Sequence, residues 1–329
     1  MTLDVSTVVS LYKYETVDDL CIITCFFNPC GYRTRRLNYD IFCSTLAASG
    51  IRLATIECAF GSSPFTLDGP EVVLRVRGSE RHLMWQKERL LNLLVSCLPT
   101  SVHKVAWLDC DILFENPDWA RKTSRALDSY AIVQPFTELV RLRPGSIRSS
   151  QENEVRESYC SVLRRDRTLA TSGNYQAHGH TGLGWAARRD LIQGHGLYDV
   201  LISGSGDHFI AHAADGSLGS VCFDGMRKTP LFENFSLWAV PFSQSVGGLV
   251  GCVAGRALHL WHGGKEGRRY RTILRELVGH NYDPTRDVGL SESGLLEWKS
   301  ERPMLHSWAS GYFRERDEDN AGSEISFDF

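Results

Sequence analysis

One stretch limits what this chain of 329 residues can become: Val105-Ala106-Trp107-Leu108-Asp109-Cys110-Asp111-Ile112-Leu113-Phe114. Four apolar residues run into an Asp, one small residue follows, and a second Asp closes the motif. The apolar run reads as a strand buried on both faces. In open α/β sheets, ligands bind beyond the carboxyl ends of the strands, where this Asp-x-Asp falls. Two carboxylates held there can bind a hard divalent cation through oxygen, and that cation can neutralise a diphosphate. The competing reading makes one Asp a helix cap and the other a turn residue. Asp-x-Asp alone does not decide between them.

The flanking pattern argues for the sheet. Leu20 to Phe27 reads as a first buried strand, broken by Asn28-Pro29. Asn38 to Ser49 has helical periodicity and closes at Gly50. Ile51 to Phe60 is a second strand, so strand, helix and strand make a right-handed crossover unit. Val72–Val76 is a third short strand, and Leu83 to Val95 a helix stopped by Pro99. A polar helix over 118–127 and a strand over 130–136 follow the Asp-x-Asp. These elements predict an α/β fold: an open mixed sheet flanked by helices, in a single large domain. The expected division is a lead-in at 1–18, a main domain at 19–275, and a helical extension with an acidic, flexible tail at 276–329. Within the main domain, 19–136 would bind nucleotide and 137–275 the acceptor.

Composition removes some classes of function. Hydrophobic content of 43% and charged content of 23% suit a soluble globular protein. A net charge of −3 gives no global reason to bind nucleic acid or an anionic membrane. No apolar run is long enough to span a bilayer. Residues 1–14 lack the basic start and apolar core of a signal peptide. The ten cysteines include no Cys-x-x-Cys, and Cys21, Cys25, Cys97 and Cys110 lie in apolar stretches. Reduced thiols and a cytoplasmic location are therefore expected, with neither zinc nor disulfides assigned to them.

Several further residues are candidates for chemistry. Glu57 ends the second strand, where an acidic residue can meet the base or ribose; a solvated strand end is the plain alternative. Lys87 can reach a phosphate across the site, whereas Glu88 reads as solvated. The stretch 141–168 mixes seven Arg residues with Glu152, Glu154, Glu157 and Asp166. It reads as a surface excursion, a lid or an acceptor-binding insert; a basic patch for a polyanion is the sharper reading, diluted by the acids. A glycine-rich loop surrounds His178-Gly179-His180-Thr181, and a helix is predicted from Trp185 to Ile192. Asp207 opens the next helix after two glycines, a place that suits either a general base or an N-cap. Near the end, Ala257-Leu258-His259-Leu260-Trp261-His262-Gly263-Gly264 puts two imidazoles on a strand. Spaced three apart, they should point to opposite faces, so His262 is expected to ligate and His259 to turn away. Lys265, Arg268, Arg269 and Arg271 can clamp a diphosphate or solvate a helix.

With these residues in hand, the chain resembles glycosyltransferases of the GT-A type, above all short glycosyltransferase-like proteins of bacteria and large DNA viruses. The matching pieces are FFNP, WQKERLLN, AWLDCDILF, IVQPF, HTGLGWAARRDLI, GLYD with GSGD, and LHLWHG, spread over about residues 20 to 270. The resemblance implies a nucleotide-sugar donor (a UDP- or GDP-sugar) and Mn²⁺ or Mg²⁺ held by Asp109, Asp111 and His262. It implies donor contacts from Thr24, Phe26, Asn28, Glu57, Lys87, Asp109 and Lys265. Acceptor contacts would come from His180, Thr181, Gly182, Trp185, Asp207 and His208, with Asp207 as the base of an inverting transfer. The acceptor would be a glycan, a protein or a modified nucleic acid. One departure stands out: the acidic motif is Gly-Asp-His rather than Glu-Asp-Asp. A sugar-1-phosphate nucleotidyltransferase fits less well, because its glycine-rich basic loop after the first strand is missing. A non-catalytic glycan- or nucleic-acid-binding module on the same fold is the rival from another class.

Overall fold

The computed structural model describes residues 19–264, 268–269 and 272–320. The lead-in at 1–18, Lys265, and residues 321–329 of the tail lie outside the described residues. The strands are β1 (Leu20–Phe27), β2 (Leu53–Phe60), β3 (Val72–Gly78), β4 (Lys104–Leu108), β5 (Ile112–Phe114), β6 (Ile132–Gln134), β7 (Glu138–Arg141), β8 (Glu154–Glu157), β9 (Gly184–Arg188), β10 (Val250–Cys252), β11 (Arg256–His259), β12 (Val288–Leu290) and β13 (Leu296–Trp298). The helices are α1 (Arg33–Ala48), α2 (Lys87–Cys97), α3 (Trp119–Ser129), α4 (Tyr159–Arg165), α5 (Arg167–Ala170), α6 (Arg189–His195), α7 (Gly206–Ala214), α8 (Pro230–Val246), α9 (Ile273–Gly279), α10 (Pro284–Asp287) and α11 (Pro303–Glu315).

Seven strands form the central sheet in the order β10-β6-β9-β4-β1-β2-β3. The run β3, β2, β1, β4 is parallel, and β9 lies antiparallel between β4 and β6. This is the expected open mixed α/β sheet. Its strands bury both faces. In β1, Cys21, Ile23 and Phe27 enter one core, while Leu20, Ile22 and Phe26 enter the other. That period-two split is what a continuous apolar strand becomes between two layers of helices. Helices α2, α6, α7 and α8 cover the first face, and α1 and α3 the second.

The Asp-x-Asp sits where the chain changes sheets. β4 ends at Leu108, the motif turns, and β5 enters a second sheet ordered β5-β11-β7-β8. β11 pairs antiparallel with β5, which sets His259 opposite Ile112. The Leu260 N–H donates to the Asp111 carbonyl at 2.8 Å. Pairing register, not side-chain chemistry, therefore delivers the second histidine motif to the acidic one.

Three expectations need correction. The helix predicted from Trp185 begins only at Arg189, because Gly184–Arg188 is strand β9. Trp185, Ala186 and Ala187 are each fully buried between β4 and β6; packing on both faces overrides the helical preference of the alanines. The second helix starts at Lys87, not Leu83, so Trp85 and Gln86 lie ahead of it. There the Gln86 amide pairs with Leu296 at both N–H (3.1 Å) and C=O (2.8 Å), docking the β12–β13 hairpin. The tail expected to be flexible is packed as far as residue 320. Asp319 accepts from the N–H groups of Arg33 (2.9 Å) and Thr34 (2.8 Å) at the start of α1, and Glu318 is fully buried.

The Arg-rich stretch is also more ordered than a loop. It runs from the end of β7 through β8, which pairs with β7, into α4 and α5. Its acids spend its charge: Arg141 meets Glu154 at 3.6 Å, Arg143 meets Glu152 at 2.6 Å, and Arg165 meets Glu157 at 2.6 Å. No helix among the described residues is long and apolar enough to cross a membrane. All ten cysteines are free thiols.

Candidate functional site

Asp111, His259 and His262 form a set whose ligand atoms all lie within 4.8 Å of one another. His262 Nε2 is 3.0 Å from one Asp111 carboxylate oxygen, and His259 Nε2 is 3.8 Å from the other. The two imidazole Nε2 atoms are 2.9 Å apart. Asp111 Oδ1 is buried and makes no hydrogen bond. A buried carboxylate oxygen without a partner is costly, and a cation removes that cost. One carboxylate with two imidazoles is a donor set that suits manganese-type ions. Burial alone would raise the Asp111 carboxyl, but His262 and His259 beside it hold it well below its ordinary range. Burial pushes His259 down to about 4, against the pull of Asp111, and so favours the neutral imidazole that binds metals.

Both histidines reach the acid, contrary to the alternation argument. β11 ends at His259, and Leu260-Trp261-His262 is irregular, so the strand period no longer applies at His262. The expectation that His259 turns away from the acid thus fails because the strand period stops at that residue.

Asp109 points elsewhere. Lys87 Nζ lies 2.6 Å from Asp109 Oδ1 and 2.8 Å from Asp207 Oδ2. Lys87 is only 6% exposed. Burial works against its charge, yet the two carboxylates outweigh burial and hold its pKa well above the ordinary value. Asp109 thus stands apart from the Asp111 set, and Lys87 spends its charge on protein carboxylates rather than standing free for a phosphate. Asp207 keeps one oxygen, Oδ1, buried and without a partner. Burial raises its carboxyl, with Lys87 opposing. The cap of α7 is Ser205, not Asp207, and Ser205 has a left-handed φ of +74°. Leu183, whose carbonyl accepts from the Asp109 N–H at 2.8 Å, has a φ of +77°. Two strained non-glycine residues thus flank the Lys87 bridge, as strain often does at functional sites.

Glu88, read as solvated, is 3% exposed and pushed up to about 8 by burial. It packs on Gly206, where an added Cβ would stand 2.2 Å from Glu88 Oε1. Only a glycine before Asp207 leaves room for this second acid. The signal was present in the sequence as an acid on an otherwise apolar helix.

The acceptor candidates divide. A Cβ on Gly182 would lie 3.2 Å from the His180 ring and 3.7 Å from Asp207 Oδ2, so His180, Gly182 and Asp207 share one corner. The Thr181 carbonyl is taken by the Trp185 indole N–H at 2.8 Å. Trp185 itself is a sheet-core residue, and His208 turns away from Asp207 into a buried aromatic cluster with His178, His212 and Phe223.

The donor candidates are mostly structural. Thr24 Oγ1 donates to the Leu108 carbonyl at 2.7 Å, and Phe26 packs edge-on against Tyr39. The Asn28 side chain closes a turn on Tyr32, donating at 2.8 Å and accepting at 3.0 Å. Glu57 is 2% exposed and accepts from Thr66 N–H (2.5 Å) and Leu67 N–H (3.3 Å), with Arg75 at 3.5 Å. It organises a loop.

Two groups complete the surroundings of His262: Arg268, read from the sequence as a diphosphate clamp or a helix solvator, and Glu318, for which the sequence suggests no site role. Arg268 places guanidinium nitrogens 3.0 Å from Nε2 and 2.6 Å from Nδ1 of His262. Glu318, from the far end of the chain, lies 3.6 Å from His262 Nδ1 and 2.5 Å from Arg316 Nε. Carboxylates behind ligating histidines are a common means of orienting the ring. No local pattern could have placed residue 318 there.

No protein-family model and no curated protein sequence matches the chain. Among solved structures, Drosophila β-1,4-galactosyltransferase 7 in complex with manganese, UDP-Gal and xylobiose is similar at 8% identity and a TM-score of 0.39, covering 89% of this chain and 98% of that one. Mannosyl-3-phosphoglycerate synthase from Rubrobacter xylanophilus is similar at 11% identity and a TM-score of 0.34, covering 90% and 88%. 4-Diphosphocytidyl-2C-methyl-D-erythritol synthase from Anaerococcus prevotii is similar at 11% identity and a TM-score of 0.31, covering 94% and 99%.

Proposed function

We propose that this chain is a metal-dependent glycosyltransferase that moves a sugar from a UDP- or GDP-sugar to an acceptor hydroxyl. The observation that carries the reading is the Asp111, His259 and His262 set, with its unpartnered buried oxygen, at the sheet junction beside the Lys87 bridge. Asp111, His259 and His262 hold Mn²⁺ or Mg²⁺, and the ion supplies Lewis-acid stabilisation to the leaving nucleoside diphosphate. Arg268, already seated on His262, adds a guanidinium suited to diphosphate oxygens. Lys87 fixes the spacing between Asp109 and Asp207. Asp207 receives the acceptor's hydroxyl proton on Oδ1, the oxygen that Lys87 does not occupy. Its raised pKa brings it nearer to the operating pH of a base. A base on Asp207 corresponds to an inverting transfer, and His180 and Gly182 line the acceptor side. Paired acids in the 141–168 stretch favour a glycan or protein acceptor over nucleic acid.

The test is a thermal-shift screen of the protein against UDP-, GDP- and other nucleotide sugars, each with and without Mn²⁺. Ligands that bind only the folded state raise its melting temperature. The expected result is a metal-dependent shift with one nucleotide, lost in Asp111→Asn. Absence of a shift with every nucleotide would move the assignment to a non-catalytic binding module.

A further inference from the structure

A second cluster of metal-binding side chains stands on the other side of α7. His208 and His212 lie four residues apart on that helix, so both imidazoles share one face. Cys222 comes from the turn at 221–223 that packs on it. Ligand atoms of His208, His212 and Cys222 all lie within 4.8 Å of one another. The His178 ring adjoins them, its centroid 5.6 Å from that of His208 and 6.5 Å from that of His212.

One nitrogen of each of these three imidazoles makes no hydrogen bond. Nε2 of His178, His208 and His212 are all buried and without a hydrogen-bond partner. The three residues are 3%, 6% and 0% exposed. For two of them the tautomer follows from the partners. The Tyr159 hydroxyl has one proton, and it donates to the Asp215 carboxylate at 2.9 Å. The Tyr159 oxygen must then accept from His212 Nδ1–H at 3.2 Å, which leaves the lone pair on Nε2. His178 Nδ1 is 2.6 Å from the Gly179 carbonyl, which only accepts, so its lone pair is also on Nε2. Both rings are thus fixed by their outer nitrogens with the inner ones free, the arrangement that outer partners give to metal-bound histidines. Leaving such nitrogens buried and unpartnered is costly.

We propose that His208, His212 and Cys222 bind a zinc ion, with His178 as the fourth ligand. Four protein ligands would leave no open position, which marks a structural rather than a catalytic zinc site. It is distinct in chemistry from the Asp111 set, whose oxygen and nitrogen donors favour a harder ion. The site does not depend on the glycosyltransferase reading. It would pin the 221–223 turn to α7, the helix whose first turn carries Asp207.

Cobalt(II) tests it. Protein freed of metal by a chelator and kept reduced with a phosphine is titrated with Co²⁺, and the absorption spectrum is followed. A thiolate-to-cobalt charge-transfer band that saturates at one equivalent and is bleached by Zn²⁺ is expected. The Asp111 set, which has no thiolate, cannot give that band. Cys222→Ser should abolish it while circular dichroism shows a folded chain, and His212→Ala should do the same. Zn²⁺ should raise the melting temperature of the native protein and not that of Cys222→Ser. No charge-transfer band in the native protein, or one that survives Cys222→Ser, would overturn the proposal.

Discussion

Lys87 Nζ stands 2.6 Å from Asp109 and 2.8 Å from Asp207, so one buried ammonium ties the end of the central strand to the first turn of α7. Removing one partner of a buried charge network leaves the others uncompensated, a loss of about 3–5 kcal/mol. Lys87→Met should therefore lower the melting temperature and reduce kcat by more than tenfold. A purely structural lysine would leave the pH profile of kcat in place. If Asp207 is the base, loss of its cation should move the acid limb of that profile to higher pH. An unmoved limb would remove Asp207 from the base role.

Gly263 has a φ of +90°, and a Cβ there would stand 2.9 Å from the Asp317 carbonyl oxygen and 2.9 Å from the Glu318 Cα. Both are backbone atoms and cannot swing aside. Gly263→Ala should expel the 316–320 segment, at about 2–3 kcal/mol, and unseat Glu318 from His262. Neighbouring Gly264→Ala meets nothing within 4 Å and serves as the control. Urea melts of the two variants check the difference. Equal stabilities would mean that the tail is not held as described.

Glu57 offers a sharper choice between sequence and structure. The sequence reads it as an acid ending the second strand, meeting a base or ribose or simply solvated, but β2 runs on to Phe60. The Glu57 carboxylate is instead taken by the Thr66 and Leu67 N–H groups and by Arg75. Glu57→Gln should cost about 1–3 kcal/mol of stability through the loop it organises. It should change donor Kd by less than about threefold, which is under 1 kcal/mol. A large Kd change with unaltered stability would restore the ribose contact.

The strands were legible because they are buried on both faces and so read as apolar runs; β1, β2 and β4 needed nothing more. β9 was not legible, since the helical preference of Ala-Ala-Arg outweighs the strand preference of its one Trp, and only its two neighbours in the sheet make it a strand. Of the candidate site, Asp111 and His262 stand in local motifs that single them out, and the fold brings them together. His259 was lost to a strand period that stops at that residue. Lys87, Asp109 and Asp207 were each named, but their pairing was not, because a helix and two distant acids meet only in the fold. Glu318 lies 56 positions after His262, and nothing in an acidic tail distinguishes the one carboxylate that becomes buried.

Acid stability gives a last prediction, away from the site. Asp287 is fully buried and bonded to Arg286 and Arg302, at 2.9 and 2.8 Å. Burial alone would raise its carboxyl, but Arg286, the Asp283 N–H, Ser300 and Arg302 outweigh it and lower the pKa from 3.8 to about 2. A carboxyl depressed in the fold binds fewer protons there than in the unfolded chain. Stability therefore rises with pH across this interval and is lost as pH falls from about 5 toward 2. The shift corresponds to about 2 kcal/mol. Asp287→Asn should lower stability at neutral pH and flatten the acid limb of the melting curve relative to the native protein. Parallel curves between pH 5 and 2 would show that other carboxylates carry the acid dependence and that the two arginines do not hold Asp287 ionised.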